Sequence, residues 1–529
     1  MLPAANRSKS KRSWTLNAKT LTFKITLVMN KMILLAIFSA AITVSGFSQK
    51  IAHSGIVKTN INLRGNPVTL GQVSITPPAN GWVVLRFDGN CSSTEGDRIV
   101  LAASDIQNWA PNDGNVELEA ASVDVPSNAF SHTRSYAVDG GEETTFYAVA
   151  ENVEELEGSG IASIYGSLTA EWFPATPGTN DPFVSHMGFT YENVFVEGAP
   201  IAFNSITINA PTDGTALVRF DGKCVSTYGD LMFFAASDTP TWGDLDESTS
   251  NEVIDDDLNR FSFSHVRSYP IQAGSHTFYG VAENYYETYG NGFASLYGNL
   301  TVEFYPAGSP TPTLLPISTP FGVNIEGPPV VVGEIEMNAP VKGKVEVNFT
   351  GTCIGNQGDQ IRLAASDEPN WLPEDGCLNF EPYSSDLNRV SFSHTRVYEV
   401  LPGDHHFYAV VQNYEEFDGG GLAVIYGSLT MKYFAEGSIA SNEPTIFQAL
   451  QLSPNPVSEV LNIEIPGLKN SSLEWAIHGS DGRICMFSSS GSLDAYGQLD
   501  LNTSGLLPGI YFLRLTHASG TTIRKFIKS

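Results

Sequence analysis

The sequence predicts an all-β protein with three tandem β-sandwich or jelly-roll-like modules, followed by a small β-sandwich at the C-terminus. Three observations support this prediction. One series of motifs occurs three times, apolar residues alternate with a period of two, and turns rich in Gly and Pro recur at roughly ten-residue intervals. No stretch shows the sustained 3.6-residue period that a long amphipathic helix requires.

The triplication is clearest in segments that recur at fixed offsets. RFDGNCSSTEGD, RFDGKCVSTYGD and NFTGTCIGNQGD align, as do FSHTRSY, FSHVRSY and FSHTRVY. One cysteine and one histidine recur at offsets of 133 and 129 residues: Cys91, Cys224 and Cys353; His132, His265 and His394. We therefore predict three diverged copies of one unit, at residues 65–175, 198–307 and 327–435.

The joins between the copies contain many Pro, Gly, Ser and Thr residues, as in PATPGTNDP and PAGSPTPTLLPISTP. Such composition is typical of stiff to semi-flexible linkers. Because each copy is long enough to close its own core, we expect beads on a string rather than a solenoid. The end of each copy, for example YGSLTAEWFP, resembles the last strand of complement- and tumour-necrosis-factor-like jelly rolls.

A Phe-x-His-x-Arg-x-Tyr motif is the strongest constellation common to the copies, and the period of a strand places its four side chains on one face. One interpretation is an aromatic and basic face that binds glycans or carboxylates. The alternative is structural, with Phe and Tyr in the core and Arg paired to a recurring acid. The residues are Phe130, His132, Arg134 and Tyr136; Phe263, His265, Arg267 and Tyr269; Phe392, His394, Arg396 and Tyr398.

The structural alternative is favoured because an Arg buried without its carboxylate costs on the order of 3–5 kcal/mol. In the second copy, Arg267 is then expected to pair with Asp230 or Asp238. Acids at these two positions recur in every copy: Asp97, Asp230 and Asp359; Asp105, Asp238 and Asp367.

A tryptophan follows the AASD segment in each copy: Trp109, Trp242 and Trp371. In a loop, this ring can stack on a sugar or close the end of a sandwich. The stretch after it varies between copies and includes GDLDESTSNEVIDDDLN and PEDGCLNFEPYSSDLN. Its carboxylates are either a solvated loop or a calcium site, although neither stretch has the EF-hand spacing. We expect no other metal or cofactor.

The cysteines suggest one disulfide. Cys353 and Cys377 lie in the same copy, and a bridge between them would close about 25 residues and contribute roughly 3 kcal/mol. Cys91 and Cys224 lack a second cysteine in their own copies and are predicted to be small buried hydrophobic residues.

The N-terminal region resembles a secretory signal. Residues 32–47 form an apolar run that follows Lys31 and ends in small residues, too short for a comfortable membrane span. We expect residues 1–48 to be removed, with cleavage near Ser48 and Gln49. We hypothesise that the residues before Met29 are a mis-called extension.

The C-terminal residues 443–529 change in character, with alternating strands joined by Asn-Pro, Asp-Gly and Pro-Gly turns and a basic final strand. This segment resembles the type A C-terminal sorting domain of the type IX secretion system. The resemblance rests on Pro454, Asn455, Pro456, Asp481, Gly482, Leu507, Pro508, Gly509, Tyr511, Lys525 and Lys528. It implies a Bacteroidota-type bacterium, recognition by the type IX machinery, passage through the periplasm and removal of the sorting domain. The product would be released or attached to surface lipopolysaccharide.

The net charge of −28 disfavours nucleic acid and anionic membranes as partners. The sequence has no HExxH, G-x-S-x-G, P-loop or dinucleotide-binding motif. Tandem copies more often supply multivalent binding than repeated catalysis. We therefore expect a non-enzymatic adhesive or structural protein, secreted or on the cell surface. The alternatives are a glycan-binding protein that uses the loop aromatics, and an enzyme of unrecognised type.

Deleting residues from Glu443 onward should leave the passenger folded but confined to the periplasm, because the export signal is lost. Fractionation of a type IX-competent host, with immunodetection on intact cells, measures this. Surface display of the truncated chain as efficient as that of the full chain would contradict the export assignment.

Overall fold

The computed structural model describes residues 50–108, 115–119, 127–155, 158–175, 177–178, 180–241, 248–253, 260–287, 292–370, 376–382, 389–416, 420–435, 450–466, 468–479, 484–517 and 520–529. The predicted signal segment lies outside these residues. All regular elements within them are strands, which confirms the all-β prediction. No helix in this part of the chain is long and apolar enough to cross a membrane.

Within the described residues, the repeat modules contain 25 strands in chain order. Module 1 has β1 (Ile51–Asn62), β2 (Val68–Ile75), β3 (Gly81–Ser93), β4 (Asp97–Ser104), β5 (Val116–Glu119), β6 (Ser127–Val138), β7 (Thr144–Glu155) and β8 (Ile161–Pro174). Module 2 has β9 (Phe183–Phe195), β10 (Ile201–Ala210), β11 (Gly214–Val225), β12 (Asp230–Ser237), β13 (Thr249–Glu252), β14 (Arg260–Ile271), β15 (Gly274–Glu287) and β16 (Phe293–Pro306). Module 3 has β17 (Thr313–Ser318), β18 (Val323–Asn324), β19 (Val330–Ala339), β20 (Gly343–Ile354), β21 (Asp359–Ser366), β22 (Leu378–Phe380), β23 (Arg389–Val400), β24 (Gly403–Glu416) and β25 (Leu422–Ala435).

Each module is a jelly roll. In module 1 the antiparallel sheets have the orders β1-β8-β3-β6 and β2-β7-β4-β5, and module 2 repeats both orders with β9 to β16. Module 3 differs only in that β17 and β18 both pair with β25, so that two short strands replace the first long one. Two stacked four-stranded sheets with these non-sequential neighbours define the jelly-roll architecture. The predicted fold class is confirmed.

The modules begin earlier than the sequence predicts. The first strands β1, β9 and β17 precede the expected starts at residues 65, 198 and 327, yet each pairs with the last strand of its module. The presumed linker PAGSPTPTLLPISTP thus contains β17. Its Pro316 is compatible with a strand because β17 lies at the edge of its sheet, where a missing N–H breaks no ladder bond.

Each module has its own hydrophobic core between its two sheets, centred on rings such as Phe87, Phe220 and Phe349. A pair of facing glycines on the central strands also recurs in each module. In module 1, a Cβ on Gly89 would lie 2.1 Å from the Tyr165 carbonyl oxygen, and one on Gly166 would lie 2.2 Å from the Asp88 carbonyl oxygen. This close approach explains why glycine recurs at both positions: Gly89, Gly222 and Gly351 on one strand, and Gly166, Gly298 and Gly427 on the other.

The three modules pack against one another in a closed cycle, so the expectation of separate beads is wrong. The hydroxyl of Ser167 in module 1 donates to the Thr395 carbonyl of module 3 at 2.7 Å. The equivalent Asn299 of module 2 donates to the Thr133 carbonyl of module 1, and Ser428 of module 3 donates to the Val266 carbonyl of module 2. All three modules belong to one compact unit, residues 48–529. The linker sequences do not predict this packing, because it depends on contacts across whole sheet faces.

Charged side chains from all three modules meet where these outer sheet faces converge, and we call this group the axial cluster. It holds three cations and five carboxylates, all buried: Arg86, Arg219 and Lys432; Asp88, Glu171, Asp221, Glu303 and Glu346. Arg86 of module 1 lies 2.8 Å from Glu346 of module 3 and 4.0 Å from Glu303 of module 2. Lys432 of module 3 lies 2.7 Å from Glu171 and 2.6 Å from Glu303.

Burial and neighbouring charges act in opposite directions on these carboxyls. Burial raises the pKa of Asp221 to about 7, despite Arg219 and Arg86 nearby. Burial opposes ionisation of Glu346 as well, but Arg86 and Lys432 are close enough to hold its pKa well below the usual range. The carboxyl groups of the cluster therefore differ in pKa, and Glu346 is an ionised partner of Arg86.

The cluster is asymmetric although the modules are copies. Strand register places Glu346 where modules 1 and 2 have Val84 and Leu217, and it places Lys432 where they have Glu171 and Glu303. Module 3 therefore supplies a cation to the acids of its neighbours and an acid to Arg86.

The C-terminal domain is a separate pair of antiparallel sheets with the orders β26-β27-β30 and β29-β28-β31-β32. Leu461, Ile477, Leu513 and Phe526 are fully buried within its core. The strands are β26 (Gln451–Ser453), β27 (Val460–Glu464), β28 (Ser472–Gly479), β29 (Ile484–Ser492), β30 (Gln498–Asn502), β31 (Gly509–His517) and β32 (Gly520–Lys528).

Replacing Arg86 by leucine should destabilise the protein by about 3–5 kcal/mol, because Glu346 is left buried without its nearest cation. Adding Glu346→Leu, which introduces the residue that module 2 has at this position as Leu217, should recover most of the loss. Urea unfolding of the secreted chain, analysed as a double-mutant cycle, measures the coupling. A loss below about 1 kcal/mol for Arg86→Leu would be the behaviour of an exposed charge and would contradict this account.

Candidate functional site

The Phe-x-His-x-Arg-x-Tyr motif clamps one alanine of the opposite sheet. In module 1, His132 on β6 accepts a hydrogen bond at Nδ1 from the Ala103 amide (2.8 Å), and the Tyr136 hydroxyl donates to the Ala103 carbonyl (3.0 Å). The same two bonds join His265 and Tyr269 to Ala236, and His394 and Tyr398 to Ala365. Two motifs that recur in the sequence, FxHxRxY and AASD, are therefore two halves of one contact.

Strand pairing explains why this alanine needs side-chain partners. On β4, Ala103 pairs with β7 on one side, while the described pairing with β5 on the other side ends at Leu101. The backbone N–H and C=O of Ala103 thus lie beyond the end of that ladder, and buried backbone groups require partners. His132 and Tyr136 provide them across the sandwich.

The three clamp histidines are neutral. Burial, reinforced by the arginine two residues further along the strand, lowers the pKa of His132, His265 and His394 to about 3. Because Nδ1 of each ring accepts a hydrogen bond, the proton of the neutral ring resides on Nε2. These histidines are structural acceptors and not bases that are exposed to solvent.

The predicted pairing of Arg267 with Asp230 or Asp238 is wrong. Asp230 is fully buried, and its carboxylate accepts hydrogen bonds from Asn284 Nδ2 (2.8 Å) and from the amide and hydroxyl of Thr227 (2.8 and 2.9 Å). Asp238 is exposed. The guanidinium of Arg267 lies 5.1 Å from the ring centre of Tyr269, a cation–π contact.

The partner of the buried acid was missed in the sequence. Asn152 and Asn413 hold Asp97 and Asp359 as Asn284 holds Asp230, with Nδ2–Oδ1 distances of 2.7 Å. The signal was present, because asparagine ends all three segments FYAVAEN, FYGVAEN and FYAVVQN. The glycine before each acid, for example Gly229 with φ of 89°, occupies the left-handed region that this turn requires.

The predicted disulfide is not formed, because Cys353 and Cys377 are both free. Cys353 points into the core from β20 in one sheet, whereas Cys377 precedes β22 at the edge of the other sheet. Cys91 and Cys224 are free and buried, as predicted.

The loop aromatics and most of the acidic loop residues lie outside the described residues. This applies to Trp109, Trp242 and Trp371, so their predicted role in binding stays a prediction. Within the variable stretches, short strands complete the second sheet of each module, namely β5, β13 and β22. The proposal of a calcium site in these stretches is likewise untested.

The sequence-predicted residues of the C-terminal domain come together at its final strand. Asn455 Oδ1 accepts a hydrogen bond from the Ile527 amide (2.9 Å), which fixes the Pro-Asn-Pro turn to β32. Tyr511 on β31 stacks on Phe526 at 5.7 Å and donates its hydroxyl to the Leu507 carbonyl (2.8 Å). Gly509 pairs with Lys528. Asp481 and Gly482 lie outside the described residues.

The comparison with protein families agrees with this arrangement. Residues 451–529 match the family described as the secretion system C-terminal sorting domain. The chain therefore carries a type IX sorting domain. It is a protein exported by type IX secretion to the cell surface or the extracellular space, and the sorting domain implies interaction with that machinery.

Other comparisons do not characterise the passenger. No curated protein matches in sequence. Among solved structures, the glycoside hydrolase domain of Endo-D from Streptococcus pneumoniae R6 aligns at 11% identity and a TM-score of 0.12, over 43% of this chain and 39% of that one. The BSP domain of a biofilm associated protein aligns at 7% identity and 0.13, over 67% and 82%. The infectious bursal disease virus VP2 subviral particle aligns at 9% identity and 0.16, over 74% and 81%. These scores are too low to support an argument about function.

Acidification should destabilise the modules between pH 6.5 and about 3. Histidines of the unfolded chain have a pKa near 6.5, whereas the clamp histidines have a pKa of about 3. Between these two values the unfolded chain binds more protons than the folded chain, so acidification lowers the free energy of unfolding. Each histidine should contribute a slope of about 1.4 kcal/mol per pH unit, opposed in part by Asp221, whose raised pKa has the reverse effect.

The measurement is the free energy of urea unfolding against pH for the secreted chain and its His394→Gln variant. The variant should be less stable at pH 7, because the Ala365 amide loses a well-placed acceptor, but its stability should fall less steeply on acidification. Parallel pH profiles for the two proteins would show that His394 is not kept neutral by the fold.

Proposed function

We propose that the exported passenger is non-enzymatic and acts as an adhesive or structural protein at or near the cell surface. The observation that supports this best is the use of its recurring polar residues. The clamp histidines and tyrosines, and the buried Asp–Asn pairs, are all engaged in joining strands. Residues that recur because they hold the fold together do not need a catalytic explanation.

The packing of the modules also supports an adhesive or structural role. Three jelly rolls joined through a buried ionic cluster make a body in which the copies keep fixed relations to one another. Variable loops on such a scaffold can contact one extended target at several points, which raises avidity without stronger single contacts. Attachment to surface lipopolysaccharide after export would present this body outside the cell.

Adhesion can be tested in a type IX-competent bacterium that makes the full chain. The matched control carries the signal segment and residues 443–529 around an unrelated folded passenger, so that export is unchanged. We expect cells with the native passenger to attach more strongly to surfaces or to one another. Separate assay of cells and medium distinguishes attached from released protein.

Equal attachment by the two strains would contradict the adhesive proposal. Turnover of a defined substrate by the purified passenger, abolished by a single substitution that leaves the fold intact, would favour the enzyme alternative. Loss of cell-envelope integrity without loss of attachment would favour a structural role over an adhesive one.

A further inference from the structure

A cleft of about 630 Å³ lies between modules 1 and 2. Its floor is the outer sheet face of module 2, formed by β9, β16 and β11, and one wall is the β6 strand of module 1. Residues that line it include Asn115, His132, Arg134, His186, Lys223 and Tyr297. The volume is within the range of small-ligand sites, roughly 300–1,000 Å³.

The lining is cationic in an acidic protein. Acidic residues outnumber basic ones 57 to 29 in the chain, yet none of the described residues that line the cleft is acidic. Arg134 and Lys223 contribute positive charge to it. The neutral His132 also lines the cleft, and because its Nδ1 is occupied by the Ala103 amide, it offers an Nε2–H donor.

Lys223 is held in place at this interface. Its ammonium group donates to Asn115 Oδ1 at 2.9 Å, pairs with Glu117, and lies 4.8 Å from the ring centre of Tyr297. Glu117 is shared with Arg98 at 2.6 Å and Arg260 at 3.3 Å. Three cations thus surround this carboxylate, and Glu119 lies 2.7 Å from Arg260.

Two features of the cleft depart from the common plan of the modules. Strand register places Asn90 and Thr352 where module 2 has Lys223, so the ammonium group is not required by the jelly roll. On β9, Gly188 leaves its part of the floor open, because an added Cβ would make only ordinary van der Waals contacts, with Asn299 Oδ1 at 3.4 Å and the Gly298 carbonyl oxygen at 3.8 Å. A lysine present in one copy alone, beside an open floor, is what a ligand site added to a scaffold requires.

We propose that this cleft binds the oxyanion group of an acidic saccharide, a carboxylate or a sulfate, and that this is one of the contacts through which the passenger adheres. The inference rests on the adhesive function proposed above. Arg134, Lys223 and His132 supply the donors for the oxyanion. Asn115, Ser135, Thr190 and Asn299 supply polar groups of the kind that sugar hydroxyls pair with. A protein partner would instead need an apolar anchor pocket, and the Phe189 ring is buried in the core of module 2.

The test uses the full secreted chain and isothermal titration with four probes: a hexasaccharide of galacturonic acid, a sulfated heparin hexasaccharide, hexaglutamate and inorganic phosphate. At least one acidic saccharide should bind, more weakly as salt rises. Lys223→Thr, which copies Thr352, should weaken that binding about tenfold or more, because a charge-assisted hydrogen bond is lost. Gly188→Leu should weaken it by filling the cleft without removing a charge.

The matched control is Gly55→Leu, at the equivalent position of module 1, where an added Cβ meets nothing within 4 Å. It should bind as the native chain does. Binding of neither saccharide, or saccharide binding that Lys223→Thr and Gly188→Leu leave unchanged, would overturn the inference. Tighter binding of hexaglutamate than of either saccharide would also overturn it, as would phosphate binding equal to that of the saccharide.

The same variants distinguish a failure of the cleft inference from a failure of the proposed adhesive function. If cells with Lys223→Thr attach as well as native cells while the saccharide binds elsewhere, the cleft inference fails and adhesion stands. If the cleft binds saccharide in solution but native cells attach no better than the control strain, adhesion fails and the cleft remains a binding site.

Discussion

The buried ion pairs among Arg86, Glu303, Glu346 and Lys432 are the constraint on which the arrangement of the three modules depends. Each of these charges is removed from water, and each has an ion-pair partner in another module. The cluster is complete only when all three modules are in place. The hydrogen bonds that run around the cycle of modules, and the cleft between modules 1 and 2, likewise require neighbouring modules to be in place.

Each central strand has one face in the core of its own module and the other face against the neighbouring modules. On β20, Val345, Val347 and Phe349 point into the core of module 3, while Glu346 and Asn348 alternate with them and face the other modules. The strand period of two separates these roles cleanly. Each jelly roll is therefore stabilised by its own apolar interior, and the specificity of its partners is determined by the polar residues in between.

Local pattern was sufficient for some features of the molecule and insufficient for others. The period of two, the turns and the recurring segments predicted jelly-roll modules, and the residues from Pro454 to Lys528 predicted the sorting domain. The pattern could not show that the polar face of a strand such as β3 is buried, because alternation looks the same whether that face meets water or another polar face. For this reason the packing of the modules, the partner of Asp230 and the cleft at Lys223 required the three-dimensional structure.

The unequal charges of the axial cluster also limit how such a gene can change. Arrays of independent modules gain and lose copies readily by recombination, because each module tolerates any neighbour. Here the loss of the third module would remove Lys432 and leave Glu171 and Glu303 facing each other, and an extra copy would have no place in a closed cycle. The number and order of the repeats are thus fixed by electrostatics, and new binding properties are expected to arise by substitution within a copy, as at Lys223.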